Sequence, residues 1–349
     1  MAYRMVQVGT GGMGLSWCRG FLPPNIKDGL IEVVAAVDIN PASLENARQH
    51  LGLAAEKCYT DLERALDENA ADFCTVVVPP SVHERVIDAA LAHDMHILSE
   101  KPIADTLVAS IRVVDKVRRS GKKMGITMNH RCDQDKTTLR QQLCSGDYGR
   151  LDYLVWRYIG DFRRYGSWGG FRHDIPDPQM VDAAVHHLDI LADLAGARCD
   201  TIYAQTRNPP WGEFAGDSQS LVMMTFENGV RATYEGVNTN AVALNNWNRE
   251  YIRAECEKAT LVLDRRDLTR YRYGGGLAPE GLPLLQQLKW KHTWLIEKFV
   301  RWLDGGDPME TRVEDNLHSL AMCFAGIESS RTGRPIKVKE FLEAAKHDR

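Results

Sequence analysis

The stretch VQVGTGGMG, residues 6–14, constrains this chain more than any other feature. A short apolar run ends at Val8, glycines follow at positions 9, 11 and 14, and a helical pattern begins directly after them. At that spacing the first glycine permits a tight turn, the second lets backbone approach a pyrophosphate, and the third lets helix and sheet pack closely. Exposed N–H groups at the helix start then favour phosphate. A glycine triplet alone is weak evidence, but here a second strand-like run, IEVVAAVDIN, ends in Asp38. A carboxylate at that point can accept hydrogen bonds from adenosine ribose hydroxyls and repel a 2′-phosphate. Ile39 and Asn40 follow with no arginine beside the acid, so the pattern favours NAD over NADP. The cofactor contacts expected here are Gly9, Thr10, Gly11, Gly12, Met13, Asp38 and Ile39.

The rest of the first third keeps the same grammar. MVQV, IEVVAAV, DFCTVVV, MHILS and KKMGIT read as strands, several without polar alternation, as expected when both faces of a sheet are covered. Helix starts lie between them: Asn40-Pro41 supplies a cap and a first-turn proline, and Thr60…Glu63 and Ser81…Glu84 have capping-box spacing. Strands alternating with capped helices predict an α/β fold with a doubly wound parallel sheet over residues 1–128. From residue 129 the strand-like stretches lengthen and crossover helices thin out. LDYLVWRYIG, CDTIYAQTR, SLVMMTFENGVRATYEG, NREYIRAEC and ATLVLDRRD, with a hairpin turn at Asn228-Gly229, predict a large, mostly antiparallel open sheet in an α+β domain over 129–349. Two helices are expected near the end, the second over about 314–332 with Gly333 at its stop, packing back on the first domain.

Composition excludes several roles. Lys plus Arg (43) nearly balances Asp plus Glu (47) and the basic residues are scattered, so there is no footprint for nucleic acid or an anionic membrane. The opening AYRMVQV lacks the apolar core of a signal peptide and no long uncharged apolar run follows, which leads to the expectation of a cytoplasmic protein. Eight cysteines occur singly, without a Cys-x-x-Cys pair, so the usual zinc and thioredoxin-like spacings are absent.

Two further stretches carry chemistry. In VDAAVHHLDI, read as helix, successive residues lie about 100° apart, which puts Asp182, His186, Asp189 and Asp193 in one sector, opposite Val181, Ala184, Val185, Leu188, Leu191 and Ala192. That pattern fits a solvated helix face as well as machinery. His186 and His187 point about 100° apart, and no cysteine or second acid cluster completes a ligand set, so no metal is expected. The strand MHILS runs into Glu100-Lys101-Pro102, at the carboxyl edge where ligands of open α/β sheets bind. Val78, Pro79, Pro80 and His83 follow another strand on that edge, a floor for the nicotinamide half.

With VGTGGMG, VDINP, VVVPPSVHE, SEKPIAD, MNHR, DAAVHHLD, FENG and the closing EDNLHSLAMCFAGIESSRTGRPIKV on the page, the chain resembles the glucose-fructose oxidoreductase / inositol dehydrogenase / rhizopine catabolism (Gfo/Idh/MocA) family over essentially its whole length. The resemblance implies a catalytic group of Lys101, Asp182 and His186, with the polar stripe facing the cofactor cleft. His186 would be the base, since imidazole titrates near working pH; Lys101 would stabilise developing alkoxide; Asp182 would orient the imidazole or hold a neighbouring hydroxyl. Asp189 matches the family's final acid and is read as supporting structure, and His187 as packing. Further cofactor contacts are expected from Val78, Pro79, His83, Glu100, Lys101 and Asn129, with Arg131 near the cleft. The implied substrate is a polyol, cyclitol, sugar or glycoside, for which Tyr158, Arg163, Arg164, Tyr165, Trp168 and His173, with His186, offer aromatic faces and polar side chains. An NAD-requiring glycosidase working by transient oxidation and elimination, and a catalytically silent dinucleotide-binding regulator, stand as alternatives. The family resemblance also implies a homodimer or homotetramer.

Overall fold

Met5, Val6 and Val8 leave almost no surface exposed on β1 (Tyr3–Val8), as the unbroken apolar run demands. β2 (Ile31–Val37), β3 (Cys58–Tyr59), β4 (Phe73–Val76), β5 (His96–Ser99) and β6 (Met124–Ile126) complete an all-parallel sheet in the order β3-β2-β1-β4-β5-β6. The order reverses at β1, so the glycine loop leaves the sheet at its topological switch point. β3 escapes the sequence because two residues carry no periodicity.

The computed structural model describes residues 1–347, and the chain divides into two compact units: residues 1–132 with 288–317, and residues 133–287 with the segment from 318 onward. The first break falls at 132/133, four residues beyond the expected one, and the segment that rejoins the first unit differs from expectation. It is the helix Lys291–Leu303, whose Leu295, Ile296, Phe299 and Val300 complete the core around Met5, Trp17, Leu22, Ile31 and Phe73. Phe299 meets Phe73 edge-on at 5.4 Å. The helix Val313–Thr332 belongs to the second unit from His318 on.

Local chemistry departs from the sequence reading within one helix and at the starts of two others. The first helix is α-helical over Met13–Ser16, turns π over Trp17–Phe21, and resumes over Leu22–Lys27. Pro23 and Pro24 supply no N–H, so the ladder widens by one residue just before them. Asn40 caps Pro41–Leu51 as expected, accepting from Ala42 N at 3.1 Å. The helix Leu62–Glu68 is capped by Asp61 rather than Thr60. The next helix begins at Pro80, so Ser81 lies inside it and Glu84 turns to Arg112 and Lys116 instead of back to a cap.

The second unit is built on β7 (Leu151–Ile159), β8 (Cys199–Arg207), β9 (Gln219–Phe226), β10 (Arg231–Val237), β11 (Tyr251–Cys256), β12 (Ala259–Asp264), β13 (Asp267–Arg272), β14 (Glu280–Leu282) and β15 (Ile336–Lys337). Their order is β14-β13-β12-β11-β7-β10-β9-β8-β15, antiparallel throughout except for the β7–β10 pair. The β9–β10 hairpin turns at Asn228-Gly229, where Gly229 has φ +89°. Alternation sorts the strands' side chains: Leu154, Trp156, Tyr158, Val222, Met224 and Tyr234 are buried, while Leu221 and Met223 remain more than half exposed on the opposite face. A buried ammonium anchors the unit's first helix, with Lys136 Nζ 2.8 Å from Glu250, 3.2 Å from Asp133 and 3.6 Å from Asp135. Among the described residues no helix is long and apolar enough to cross a membrane.

Candidate active site

In the first unit the glycine loop is shaped by contacts that leave no room for a side chain. Gly9 has φ +90°, and a Cβ there would lie 2.0 Å from Val77 O; at Gly14 it would meet Gly9 O at 2.3 Å. At Gly12, φ +51°, the space is open and no side chain caps the helix, which leaves a bare helix start for an anion. This cradle fits a dinucleotide. Asp38 does more than the sequence indicates: its Oδ2 accepts from Thr10 N (2.8 Å), Gly11 N (3.0 Å) and Thr10 Oγ1 (3.3 Å), and its Oδ1 accepts from Asn40 N (2.9 Å). Thr10 is wholly buried, its hydroxyl on Ser43 O and its carbonyl on Asn46, so it frames the loop from inside. Met13 and Ile39 are exposed beside it.

At the strand ends, Val78 is half-buried, Pro79 exposed and Lys101 half-buried, with the Lys101–Pro102 peptide cis. Two neighbours expected to touch cofactor are turned inward. His83 is fully buried, with Nε2 2.9 Å from Val78 O and Nδ1 3.0 Å from Pro102 O, so it ties the two strand-end loops together. Burial holds its pKa below the usual imidazole value. Glu100 accepts from Trp17 Nε1 (2.8 Å) and His292 Nε2 (3.1 Å), and His292 stacks on Phe21 at 4.2 Å. Burial by itself would raise this carboxyl; the His292 ring and the hydrogen bonds outweigh it and bring the pKa down to about 2. Glu100 therefore fixes the segment that carries Lys101. Asn129 lies in a 3-10 turn over Asn129–Cys132, its N–H on Thr127 O.

In the second unit the polar stripe is not a wet face. The chain enters through a π turn over Gln179–Ala184 and continues as the α-helix Val185–Ala195, and residues 183–191 are buried without interruption. The wider turn through Asp182 also departs from the uniform 100° spacing assumed from sequence. His186 is 5 % exposed and meets the edge of Trp247 with ring centres 6.0 Å apart. His187 is fully buried among Trp156, Tyr158, Tyr234 and Trp247, with Nδ1 2.9 Å from Tyr234 Oη, a packing role as read. Asp189 accepts from Ser319 Oγ at 2.6 Å and Asp193 pairs with Arg140, so the stripe's lower half is framework. Asp182 receives Arg172 Nε at 2.6 Å.

The strand and loop before this helix hold the expected substrate contacts in different settings. Tyr158 is fully buried in β7 between His187 and Trp247, and burial pushes its phenol well above the usual range. His173 is 1 % exposed, stacked on Phe214 at 4.1 Å with its nitrogens on Gly169 O and Phe162 O, and so holds the loop's own shape. Arg163 pairs with Asp161 and Arg164 with Glu213. Trp168 stacks on Phe162 and remains half-buried, and Tyr165 is exposed with its hydroxyl on Asp174. Sequence reasoning missed Arg172 and Trp247. Both stand in aromatic and polar loop stretches, FRHD and NNWNRE, where the spacing gives no periodic signal.

A family model described as an oxidoreductase family with an NAD-binding Rossmann fold matches residues 3–128, and the Gfo/Idh/MocA C-terminal domain matches 137–262. The chain belongs to the Gfo/Idh/MocA oxidoreductase family. Within it, the uncharacterised protein y4oX of Sinorhizobium fredii is 49 % identical, covering 99 % of this chain and 98 % of its own. An inositol 2-dehydrogenase of an Arthrobacter species is 25 % identical over 96 % of both chains. Among solved structures, an Agrobacterium radiobacter oxidoreductase in complex with NAD+, L-tartaric acid and magnesium superposes with a TM-score of 0.84 at 18 % identity, covering 97 % of this chain and 99 % of that one, and so shares this chain's fold.

Proposed function

We propose that this protein is an NAD-dependent dehydrogenase that oxidises a secondary hydroxyl of a sugar, cyclitol or related polyol. The inositol 2-dehydrogenase relative supports the substrate class. One observation carries the reading: His186, 5 % exposed, lies one turn after Asp182, a carboxylate held by a guanidinium, on a helix buried around its circumference. Polar side chains are costly in such surroundings and packing alone would be better served by apolar ones. The bound nicotinamide supplies a hydride acceptor. His186 takes the hydroxyl proton, Lys101 donates to the reacting oxygen, and Asp182 accepts from a neighbouring hydroxyl. Asp38 at the end of β2 disfavours a 2′-phosphate, hence NAD rather than NADP. The exposed Leu221 and Met223 on the outer face of the second sheet support pairing with a second copy.

The test is NADH formation at 340 nm from purified protein, NAD and a broad polyol and sugar panel. His186→Ala is expected to lower kcat by about 10²- to 10⁴-fold, the usual worth of a positioned general base, while NAD affinity changes less than twofold. Binding of NAD with no NADH from any member of the panel refutes the dehydrogenase reading. Release of a glycoside leaving group without net NADH would replace it with the glycosidase alternative.

A further inference from the structure

Arg172 is held more elaborately than an orienting partner for Asp182 requires. Its guanidinium carbon lies 4.4 Å from the ring centre of Phe171 and 5.2 Å from that of Trp168, so aromatic rings lie against the group. In its own plane, Nε donates to Asp182 Oδ2 at 2.6 Å and Nη1 donates to Trp168 O at 3.0 Å. A guanidinium carries five N–H donors in a fixed fork. Three of them, one on Nη1 and two on Nη2, meet no acceptor among the described residues. The side chain is 25 % exposed, so it is open to a ligand and partly shielded from bulk water. The loop's other two arginines face Asp161 and Glu213 instead, which leaves Arg172 as the guanidinium adjoining the proposed catalytic carboxylate.

We infer that Arg172 reads a carboxylate on the substrate, making the substrate an acidic sugar or polyhydroxy acid rather than a neutral polyol. Two adjacent terminal nitrogens match the two oxygens of a carboxylate, and the guanidinium, weakly hydrated and clamped by Phe171 and Trp168, is organised before the ligand arrives. Hydroxyls of a neutral polyol are poorer acceptors and leave part of the fork unsatisfied. The bond to Asp182 then fixes the distance between the recognised carboxylate and the hydroxyl that reacts. This inference rests on the dehydrogenase reading and narrows its substrate class.

Matched pairs test it: D-glucuronate with D-glucose, D-galacturonate with D-galactose, and D-gluconate with D-glucitol, each assayed for NADH formation and for calorimetric binding to NAD-saturated protein. At least one acid is expected to exceed its neutral partner tenfold or more in kcat/KM. Arg172→Met is expected to cost the acid at least ten times more than the neutral partner, because loss of Asp182's neighbour affects both and loss of the fork affects one. Arg172→Lys should recover part of the acid's loss. A neutral member preferred in every pair, equal losses on both members, or no acid binding tighter than its partner overturns the inference. Acid binding to the NAD-saturated wild type without NADH from any compound sinks the dehydrogenase reading and leaves the carboxylate site standing, and this arm needs no variant to fold.

Discussion

Asp38 allows a direct quantitative test, because its observed hold on the glycine loop and its proposed discrimination against NADP are separated by different substitutions. Its Oδ2 organises the glycine loop through Thr10 N and Gly11 N, and the proposed NAD preference assigns its charge to repelling a ribose 2′-phosphate. Two unit charges about 5 Å apart interact by about 3 kcal/mol at an effective dielectric near 20. A half-exposed carboxylate in physiological salt retains part of that, so a penalty of about 2 kcal/mol against a 2′-phosphate is expected, or about 30-fold in Kd. Asp38→Asn keeps the size of the side chain and one oxygen for the loop but removes the charge. The Kd for NAD should rise about tenfold, since hydrogen bonds to a charged acceptor are worth about 1.5–3 kcal/mol and neutral ones about 1. The ratio of Kd for NADP to Kd for NAD should fall by tenfold or more. Asp38→Ala strands the buried Thr10 N–H and should also cost about 2–4 kcal/mol of stability. Calorimetric titration of both cofactors into the three proteins decides the matter. Wild-type protein binding NADP as tightly as NAD, or a ratio unchanged in the Asn variant, would refute the reasoning.

Three other perturbations have worked signs. The Glu100 pKa is lowered on folding, from 4.5 to about 2, so its contribution, on the order of 3 kcal/mol, is complete above pH 4.5 and disappears as pH falls through 2. In urea unfolding between pH 2.5 and 7, Glu100→Gln should trail the wild type most above pH 5, and a gap that widens in acid would contradict this. His318 accepts the Cys199 N–H through Nε2 and is lowered by burial to about 4, so its stabilising contribution is full above pH 6.5 and lost as pH falls through 4; His318→Gln should flatten the stability profile in that window. Gly14→Ala drives a Cβ into Gly9 O and should abolish NAD binding in calorimetry while costing several kcal/mol of thermal stability; full NAD affinity in a folded variant would contradict the cradle geometry.

The parallel sheet was legible because burial on both faces writes itself as unbroken Val, Ile and Ala runs, as in IEVVAAV. The antiparallel sheet was legible over β7 to β12 through alternation and the Asn-Gly turn, whereas β13, rich in charged residues, was not read as a strand and β3, β14 and β15 were too short to announce themselves. Capping boxes failed where a nearer carboxylate, Asp61, or a rigid Pro79-Pro80 start took over the helix end. The family resemblance singled out Lys101, Asp182 and His186 as the expected catalytic group but said nothing of their surroundings. Glu100 and His83 are ligands for the protein's own backbone and side chains, a distinction that depends on which way each side chain turns. Arg172 lay one residue from His173 in the same loop, and only packing separates the one presenting donors from the one buried under Phe214.

The helix Lys291–Leu303 closes the core of the first unit from far along the chain. While the polypeptide is being synthesised, the nucleotide-binding lobe therefore emerges with an uncovered greasy flank around Phe73 and Trp17. It cannot mature until residue 317 has cleared the ribosome, by which time every long strand of the other lobe is already outside. Release at an early stop codon, even one well past residue 132, would thus yield a sticky fragment rather than a free-standing cofactor domain.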